Sequence, residues 1–238
     1  MNHQNELGQP IGFPVKAWTV PPLPKREALS GVYGHLEPLE LRHAEDLYRA
    51  NSEDKAGAMW TYMPYGPFET LSSYKAWIDR VHTKNDPLFY AITDTSGKAL
   101  GVASYLRISP DSGSIEVGHI AYSPSLQKTV LATEAMFLMM KYAFELGYRR
   151  YEWKCDALNA SSRKAAQRLG FSFEGIFRQA TLYKGRNRDT AWFAVIDKDW
   201  PRLKNAFERW LKDDNFEEGE QKKRLSTLTL SYINDTPS

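Results

Sequence analysis

A loop that opens into a helix, Ser123 to Met140, is the stretch of this chain best suited to hold a ligand. It reads SPSLQKTVLATEAMFLMM, polar in its first half and apolar in its second. The first backbone N–H groups of a helix have no partner inside the helix, so they can bind a phosphate. Phosphate loops usually carry glycines, which let the backbone approach closely, and this loop has none. It therefore fits either a phosphate cradle or an ordinary strand-to-helix connection.

A carboxylate, Glu116, precedes this loop on the segment SIEVGHIAY, which reads as a strand. Because Glu116 alternates with Ile115 and Val117, we expect its side chain on the opposite face of the sheet from theirs. Gly118 lies in the middle of the same segment. Glycine weakens a strand interior, so its presence predicts a bulge or the close approach of another backbone.

Sulfur and imidazole chemistry is poorly represented. The single Cys155 excludes an internal disulfide and a multi-cysteine metal site in one chain. Its strand-like context, WKCDA, indicates a buried structural thiol rather than a nucleophile. The five histidines show no ligand spacing, so we predict no metal site, and His119 is expected to be a core or sheet residue rather than a base.

Composition bounds the class of protein. The chain has 238 residues, of which 42% are hydrophobic and 25% charged, as in an ordinary globular protein. Its formal net charge of +2 gives no large field that would favour nucleic acid or an acidic membrane as a partner. We find no apolar run of about 18 residues and no secretory signal, and a lone cysteine suits a reducing compartment. We therefore expect a cytoplasmic protein.

The elements that must position these residues alternate along the chain. A strand and two helices come first, followed by three strands in an antiparallel meander, the last of which begins near residue 114. From residue 114 onward the order is strand, helix, strand, helix, strand, strand. A strand–helix–strand crossover inside an otherwise antiparallel sheet indicates an α/β (α+β) mixed-sheet domain flanked by helices. We assign residues 31–213 to this domain, residues 1–30 to an extended N-terminal arm rich in Pro and Gly, and residues 214–238 to a polar, loosely attached tail.

Three motifs in this order resemble the GNAT superfamily of acyl-CoA-dependent N-acyltransferases. Each motif is weak alone, but their order, spacing and agreement with the predicted elements make the set specific. The last motif is similar to the subgroup that acetylates the N-termini of ribosomal proteins. The motifs are Pro124-x-x-Gln127-x-x-Val130-x-Ala132-x-Glu134-Ala135, then Asn159-x-x-Ser162 before Leu169-Gly170-Phe171, and finally Glu174-Gly175-x-x-Arg178 with Asp189-Thr190-Ala191-Trp192-Phe193.

The resemblance implies a binding site for acetyl-CoA. Backbone groups of the strand containing Glu116 would hold the pantetheine arm and stabilise the oxyanion, and backbone amides of the loop would hold the pyrophosphate, with Asn159 bonding a pantetheine amide. Val130 replaces the family's first glycine and disfavours a left-handed backbone there, so we expect a loop of different shape. The implied cofactor-binding residues are Ile120, Ala121, Tyr122, Gln127, Lys128, Thr129, Val130, Leu131, Ala132, Thr133, Asn159 and Ser162.

The resemblance also implies catalytic roles. Glu116 would take the amine proton directly or through water; the alternative is a solvated glutamate on an amphipathic strand. Many members carry a tyrosine where this chain has Ala166, so Ser162 or water would protonate the leaving thiolate. Asn159 and Ser162 would otherwise be helix-capping residues, and they can be both.

The acceptor site is the least readable part. Members of the family cover their substrate with a segment that corresponds to residues 60–68, WTYMPYGPF. Trp60, Tyr62, Tyr65 and Trp153 could line an apolar acceptor pocket, or could be ordinary core aromatics.

The function implied is acetyl transfer from acetyl-CoA to a primary amine, either a small molecule or a peptide N-terminus. The missing glycines and Ala166 leave a second hypothesis open, a non-catalytic acyl-CoA-binding sensor or partner-binding module. A third is an α/β interaction domain that binds no CoA. The arm could also cross to a second copy in a homodimer.

Overall fold

The structure is a computed structural model that describes residues 3–218 and 220–233. Strands are numbered β1 to β12 and α-helices α1 to α6 in chain order. The strands are β1 His3–Gln4, β2 Pro10–Ile11, β3 Leu29–Ser30, β4 Gly34–Pro38, β5 Leu88–Asp94, β6 Ala99–Ser109, β7 Ser114–Tyr122, β8 Arg150–Asp156, β9 Ser172–Tyr183, β10 Arg186–Ile196, β11 Phe216–Glu217 and β12 Glu220–Gln221. The helices are α1 Ala44–Asn51, α2 Leu71–Val81, α3 Val130–Glu145, α4 Ala160–Arg168, α5 Trp200–Trp210 and α6 Leu225–Ile233.

Eight strands form one sheet in the order β3-β4-β5-β6-β7-β8-β10-β9. Every neighbouring pair is antiparallel except β7 and β8, which are parallel and joined by α3. The predicted α/β mixed sheet with one parallel crossover is therefore confirmed. This crossover places the carboxyl ends of β7 and β8 at the same edge, each followed by a helix.

Helices cover both faces of the sheet, and alternation along the strands creates two separate cores. On β5, Tyr90 and Ile92 pack in the core that includes α3, α4 and α5. Phe89 and Ala91, which alternate with them, pack in the core that includes α1 and α2. The two faces of β7 are therefore chemically different, since one looks toward α3 and the other toward the side of α1 and α2.

Capping residues fix where the two helices after the parallel strands begin. The Thr129 hydroxyl accepts a hydrogen bond from the amide of Ala132 at 3.1 Å, so α3 starts at Val130. The Asn159 side chain accepts from the amide of Ser162 at 3.0 Å, so α4 starts one residue later. Short polar side chains at these positions satisfy amides that the helix cannot pair. Capping was one role expected of Asn159.

The N-terminal segment is held along the domain from Trp18 onward. The Trp18 indole donates to the Gly147 carbonyl at 3.0 Å. Tyrosine hydroxyls donate to the carbonyls of Pro22 and Lys25 and to the Glu27 carboxylate. Leu29–Ser30 then forms β3 at one edge of the main sheet. The sheet thus begins before residue 31, where we expected the domain to start.

The tail also contains structure that its polar composition does not predict. Helix α6 packs against α4 and α5, with Leu225 fully buried. The Thr229 hydroxyl donates to the Arg168 carbonyl at 3.1 Å, which ties α6 to the end of α4. The apolar run LSTLTLSYI is short, and its neighbours in the sequence are strongly charged. The composition of the whole segment therefore hid this helix.

The other edge of the sheet is open. Strand β9 is 12 residues long and is exposed along almost its whole length, including Phe177 at 55% and Leu182 at 77%.

No helix within the described residues combines the length and apolar character needed to cross a membrane.

Candidate active site

The central feature of the candidate site is an opening between β7 and β8. Their parallel pairing runs from Ser114 and Arg150 to Val117 and Trp153 and then stops, while both strands continue. Residues Gly118–Tyr122 therefore have β6 on one side and no strand on the other. Backbone N–H and C=O groups that face such a gap can pair with an extended ligand as they would with a strand.

A bulge in β7 lies at this opening. The register with β6 passes from Gly118 opposite Ser104 to Ala121 opposite Val102, which leaves two residues against one. His119 and Ile120 thus have no register partner in either neighbouring strand, and His119 adopts a left-handed backbone with φ of 51°. Bulges re-aim groups beside active sites. The bulge that Gly118 predicted is present one residue further along.

The imidazole of His119 is buried among aromatic rings. It stacks on Tyr65 at a ring-centroid distance of 5.6 Å and contacts Phe89 at 5.0 Å. Burial, together with the positive charges of Arg107 and Arg188, lowers the pKa of His119 from 6.5 to about 4. The ring is therefore neutral at pH 7 and a weak base, in keeping with the expectation that it is a sheet residue.

The loop before α3 has both occupied and free amides. The amide of Gln127 donates to Ser123, that of Thr129 to Leu126, and that of Ala132 to Thr129 Oγ1. In the described chain, the amides of Lys128, Val130 and Leu131 have no hydrogen-bond acceptor. These three donors at a helix N-terminus suit an anion. They form a narrower set than the seven residues 127–133 that the motif indicates.

The left-handed conformation in this loop falls on Lys128 rather than Val130. Lys128 has φ of 63°, whereas Val130 is the first residue of the helix. A helical residue needs no glycine, so the absence of the family's first glycine does not strain the backbone at Val130. The loop keeps its free amides by placing the turn two residues earlier, at a side chain that also carries a positive charge.

Ser162 lies in the first turn of α4, with its hydroxyl against β8. The Trp153 indole donates to Ser162 Oγ at 3.0 Å, so the hydroxyl hydrogen is free to be donated elsewhere. One acceptor within reach is Cys155, a buried free thiol. Burial raises the pKa of Cys155, and a hydrogen bond from Ser162 partly offsets that rise. Ser162 thus acts as a hydrogen-bond donor to the Cys155 thiol.

Glu116 lies on the face opposite Ile115 and Val117, as the alternation predicts, but it is not a solvated residue. It is only 3% exposed. Arg107 donates to its Oε1 at 2.7 Å, and Lys154 Nζ lies 2.9 Å from its Oε2. Apart from this ion pair, Oε2 of Glu116 has no partner within the described residues.

Lys154 also contacts Glu152, so one ammonium holds two carboxylates. Lys154 Nζ lies 2.7 Å from Glu152 Oε2, and Arg150 donates to Glu152 Oε1 at 2.6 Å. Burial raises the pKa of Glu116, and the positive charges of Arg107 and Lys154 offset only part of that rise. Burial also acts on Glu152, but hydrogen bonds from Lys154 and Arg150 outweigh it and lower the pKa of Glu152. A pair of carboxyls shifted in opposite directions marks Glu116 as the better proton acceptor.

The four aromatic residues considered for the acceptor pocket do not lie together in the structure. Tyr65 stacks on His119 beside the bulge, and its hydroxyl is buried without a partner in the described part of the chain. Tyr62 donates to the Leu158 carbonyl at 3.3 Å, across to the loop after β8. Trp60 is a buried core residue. Trp153 packs on Phe171 and α4, on the opposite face of the sheet from Glu116, so it does not line a pocket with the others.

Charged residues that share this face with Glu116 were not predicted from the sequence. Arg107 and Lys154 bracket Glu116, and Arg188 lies further along the same face on β10. The alternation of Lys154 with Trp153 and Cys155 was a usable signal, since it places the lysine opposite two apolar residues. The ion-pair partners of Glu116 depend on which strands are neighbours in the sheet, so the local sequence does not predict them.

These features fit a bound acyl-CoA. The gap beside Gly118–Tyr122 offers strand-like pairing to a pantetheine arm, and the free amides of Lys128, Val130 and Leu131 offer donors to a pyrophosphate. Residues 35–172 match the model of the acetyltransferase (GNAT) domain family. The chain therefore belongs to the GNAT family of acetyltransferases.

Individual relatives agree with this assignment. The chain is similar to a GCN5-related N-acetyltransferase from Brucella melitensis, with 45% identity, a TM-score of 0.88, and coverage of 90% of this chain and 99% of that one. It is 25% identical over 170 residues to an uncharacterised N-acetyltransferase of Bacillus licheniformis, covering 69% of this chain and 93% of the relative. It is 29% identical over 97 residues to the ribosomal-protein-serine acetyltransferase of Escherichia coli, covering 41% of this chain and 54% of the relative.

Proposed function

We propose that this protein is an acetyl-CoA-dependent N-acetyltransferase that acetylates a primary amine by direct transfer. The observation that carries the proposal is the opening between β7 and β8, with the bulge of His119 and Ile120 on its wall. When bound there, acetyl-CoA supplies an acetyl thioester. The bond formed joins the amine nitrogen to the acetyl carbon, and the bond broken is the one to sulfur.

Some groups of the chain bind acetyl-CoA, and others transfer a proton. The amides of Lys128, Val130 and Leu131 bind the pyrophosphate at the N-terminus of α3, and the backbone of Gly118–Tyr122 holds the pantetheine arm. The bulge exposes unpaired backbone groups that can stabilise negative charge on the acetyl oxygen. Holding both reactants in one place supplies a large part of the rate enhancement.

Glu116 is the proposed general base and Ser162 the proposed acid. A raised pKa improves Glu116 as a base near neutral pH. Its carboxylate is buried, so the amine proton reaches it through a water molecule or after Arg107, whose side chain is 59% exposed, moves aside. Ser162 accepts the Trp153 indole hydrogen, so its own hydrogen can be donated, and it would turn from Cys155 to the departing sulfur.

The acceptor is proposed to be a small-molecule amine or a peptide N-terminus. The relative from Escherichia coli is named for a ribosomal-protein serine, which supports peptide N-termini as one class to test. Tyr65 and Tyr62 lie between the bulge and the loop after β8, where an acceptor would enter. A second copy of the chain is a candidate partner at the open edge of β9.

Release of free CoA thiol across a panel of amines and N-terminal peptides tests the proposal. Turnover with at least one amine, together with mass-spectrometric detection of the acetylated product, is the expected result. Saturable acetyl-CoA binding with no turnover on a broad panel would overturn the catalytic proposal.

One observation favours a second candidate, a non-catalytic acyl-CoA-binding module. The Glu116 carboxylate is buried between two cations, as in a structural ion pair. In that case acetyl-CoA binding, measured by calorimetry, would be retained, while Glu116→Gln and Ser162→Ala would change stability only. Absence of a heat of binding would exclude both candidates and leave an interaction domain.

A further inference from the structure

Arg188 is a half-buried guanidinium on β10 whose charge is unpaired. Its Nε donates to the Thr190 hydroxyl at 3.1 Å, a neighbour on the same strand. No carboxylate of the described residues lies within ion-pair distance of it. Guanidinium groups that are partly removed from water are usually paired, because burial of a lone charge is costly.

The carboxylate nearest in the sheet register is already satisfied. Asp156 lies opposite Thr190 in the pairing of β8 with β10. Its Oδ1 accepts from the amide of Leu158 at 2.8 Å, and its Oδ2 accepts from the Tyr183 hydroxyl at 2.8 Å. Both oxygens of Asp156 are thus engaged in hydrogen bonds, and neither forms an ion pair with Arg188.

Arg188 lies on the same face as the proposed base. The hydrogen bond to Thr190 places the two side chains together, and Trp192 follows two residues later on that face. Lys154 Nζ lies 3.7 Å from the centre of the Trp192 ring and pairs with Glu116. The positive charge of Arg188 also contributes to lowering the pKa of His119, a residue of the bulge.

A second donor on this face lacks an acceptor. The indole Nε1 of Trp192 is buried and has no hydrogen-bond partner within the described residues. An indole nitrogen can only donate, so its missing partner must be an acceptor atom. Nearby, Lys184 and Arg186 donate to the carbonyls of Trp60 and Thr61, which fastens the β9–β10 hairpin across the aromatic segment. The surroundings of Arg188 therefore supply donors and positive charge.

We propose that Arg188 binds an anionic group, a carboxylate or a phosphate, carried by the acceptor amine. The inference rests on the proposed acetyltransferase function and narrows its substrate class to amines with an acidic group near the nitrogen. Arg188 would fix the orientation of the acceptor by charge-assisted hydrogen bonds, with the amine directed toward the bulge of β7.

Matched amine pairs test the proposal with the full-length chain. L-leucine against L-leucine amide examines a carboxylate, and O-phosphoethanolamine against ethanolamine examines a phosphate. With the unaltered protein we expect kcat/KM for one anionic amine to exceed that of its uncharged partner by about tenfold or more, as a charge-assisted contact allows. Arg188→Gln should remove this preference by raising KM for the anionic amine, with KM for the uncharged amine unaffected. Arg188→Lys should restore part of the preference.

Arg178→Gln is the matched control, since it removes the same charge from an exposed position of the same hairpin. It should leave the preference unchanged. An equal preference in the unaltered protein, Arg188→Gln and Arg178→Gln would overturn the proposal, as would the absence of any preference for an anion.

Binding measurements separate this inference from the proposed function. Calorimetric titration with N-acetyl-L-leucine, its amide, and N-acetyl-O-phosphoethanolamine needs no turnover. Binding of an anionic ligand that Arg188→Gln abolishes and Arg178→Gln retains supports the site, even if no amine is acetylated and the proposed function fails. Turnover of amines without Arg188-dependent binding or preference would overturn the anion site and leave the proposed function intact.

Discussion

Lys154 holds its ammonium 2.9 Å from the Glu116 carboxylate, although both side chains are almost fully removed from solvent. Such a pair is expensive to break, because removal of one partner leaves an uncompensated buried charge. The pKa of Glu116 is raised nevertheless, which makes this carboxylate a better proton acceptor. The same lysine also contacts a second carboxylate, Glu152. Because both carboxylates contact Lys154, a variant of Glu152 can serve as the control for a loss of stability when Glu116 is tested for a loss of activity.

Glu116→Gln is expected to lower kcat by about 100-fold or more, the usual contribution of a general base, with little change in acetyl-CoA affinity. Because the pKa of Glu116 is raised, kcat/KM of the unaltered protein should fall on the acid side with a pKa above the ordinary 4.5, and the variant should lack this limb. The matched control is Glu152→Gln, which removes the other carboxylate from Lys154. Equal losses of kcat in the two variants would contradict the role of Glu116.

Val130→Pro is expected to weaken acetyl-CoA binding about tenfold or more, because it deletes one of the amides proposed to bond the charged pyrophosphate. Proline is favoured at the first position of a helix, and Thr129 before it is already extended with ψ of 164°, so melting temperature should change little. Val130→Ala keeps the amide and serves as the control in the same calorimetric titration. If proline leaves affinity unchanged, the amides of Lys128 and Leu131 carry the phosphate alone.

Acid should destabilise the protein through His119. Its pKa is about 4 in the folded chain against 6.5 when unperturbed, so the unfolded chain binds more protons between these values. The stabilising contribution is full above pH 6.5 and is lost as the pH falls toward 4, by up to about 3 kcal/mol. Denaturant titrations should show a smaller loss from pH 7 to pH 4.5 in His119→Asn, which tolerates the left-handed backbone. Parallel losses in both proteins would contradict the shift.

Ser162→Ala is expected to lower kcat by about tenfold or more, with water taking over part of the proton donation. The change also leaves the Trp153 indole without its acceptor, at a cost of about 1–3 kcal/mol in unfolding free energy. Trp153→Phe removes the same hydrogen bond and keeps the hydroxyl, so it should retain kcat. The two variants are compared by steady-state kinetics. Equal values of kcat in both would show that Ser162 has a purely structural role.

Much of this architecture could be predicted from local patterns. Alternation at Ile115, Glu116 and Val117 gave the correct faces of β7, and short polar residues such as Asn159 gave helix starts. These signals are local because side-chain direction and capping depend on residues a few positions apart.

The remaining features depend on contacts between distant segments. The partners of Glu116 follow from β8 lying beside β7, and Trp153 faces α4 because β8 begins in that register. The left-handed turn at Lys128 was not predictable either, since glycine would have been the residue to expect there. Helix α6 is stable because it packs on α4 and α5, a tertiary effect that overrides the polar composition of its segment.

The hydrogen bonds along Pro22, Lys25 and Glu27 bear on how the chain can be shortened. Tyr90, Tyr142 and Tyr148 direct their hydroxyls to this segment. Trimming the protein back to residues 35–172, the region that matches the family model, would remove those acceptors and leave the three hydroxyls without these partners. We therefore expect truncations that stay ahead of Trp18 to be tolerated better than truncations that reach into residues 18–30.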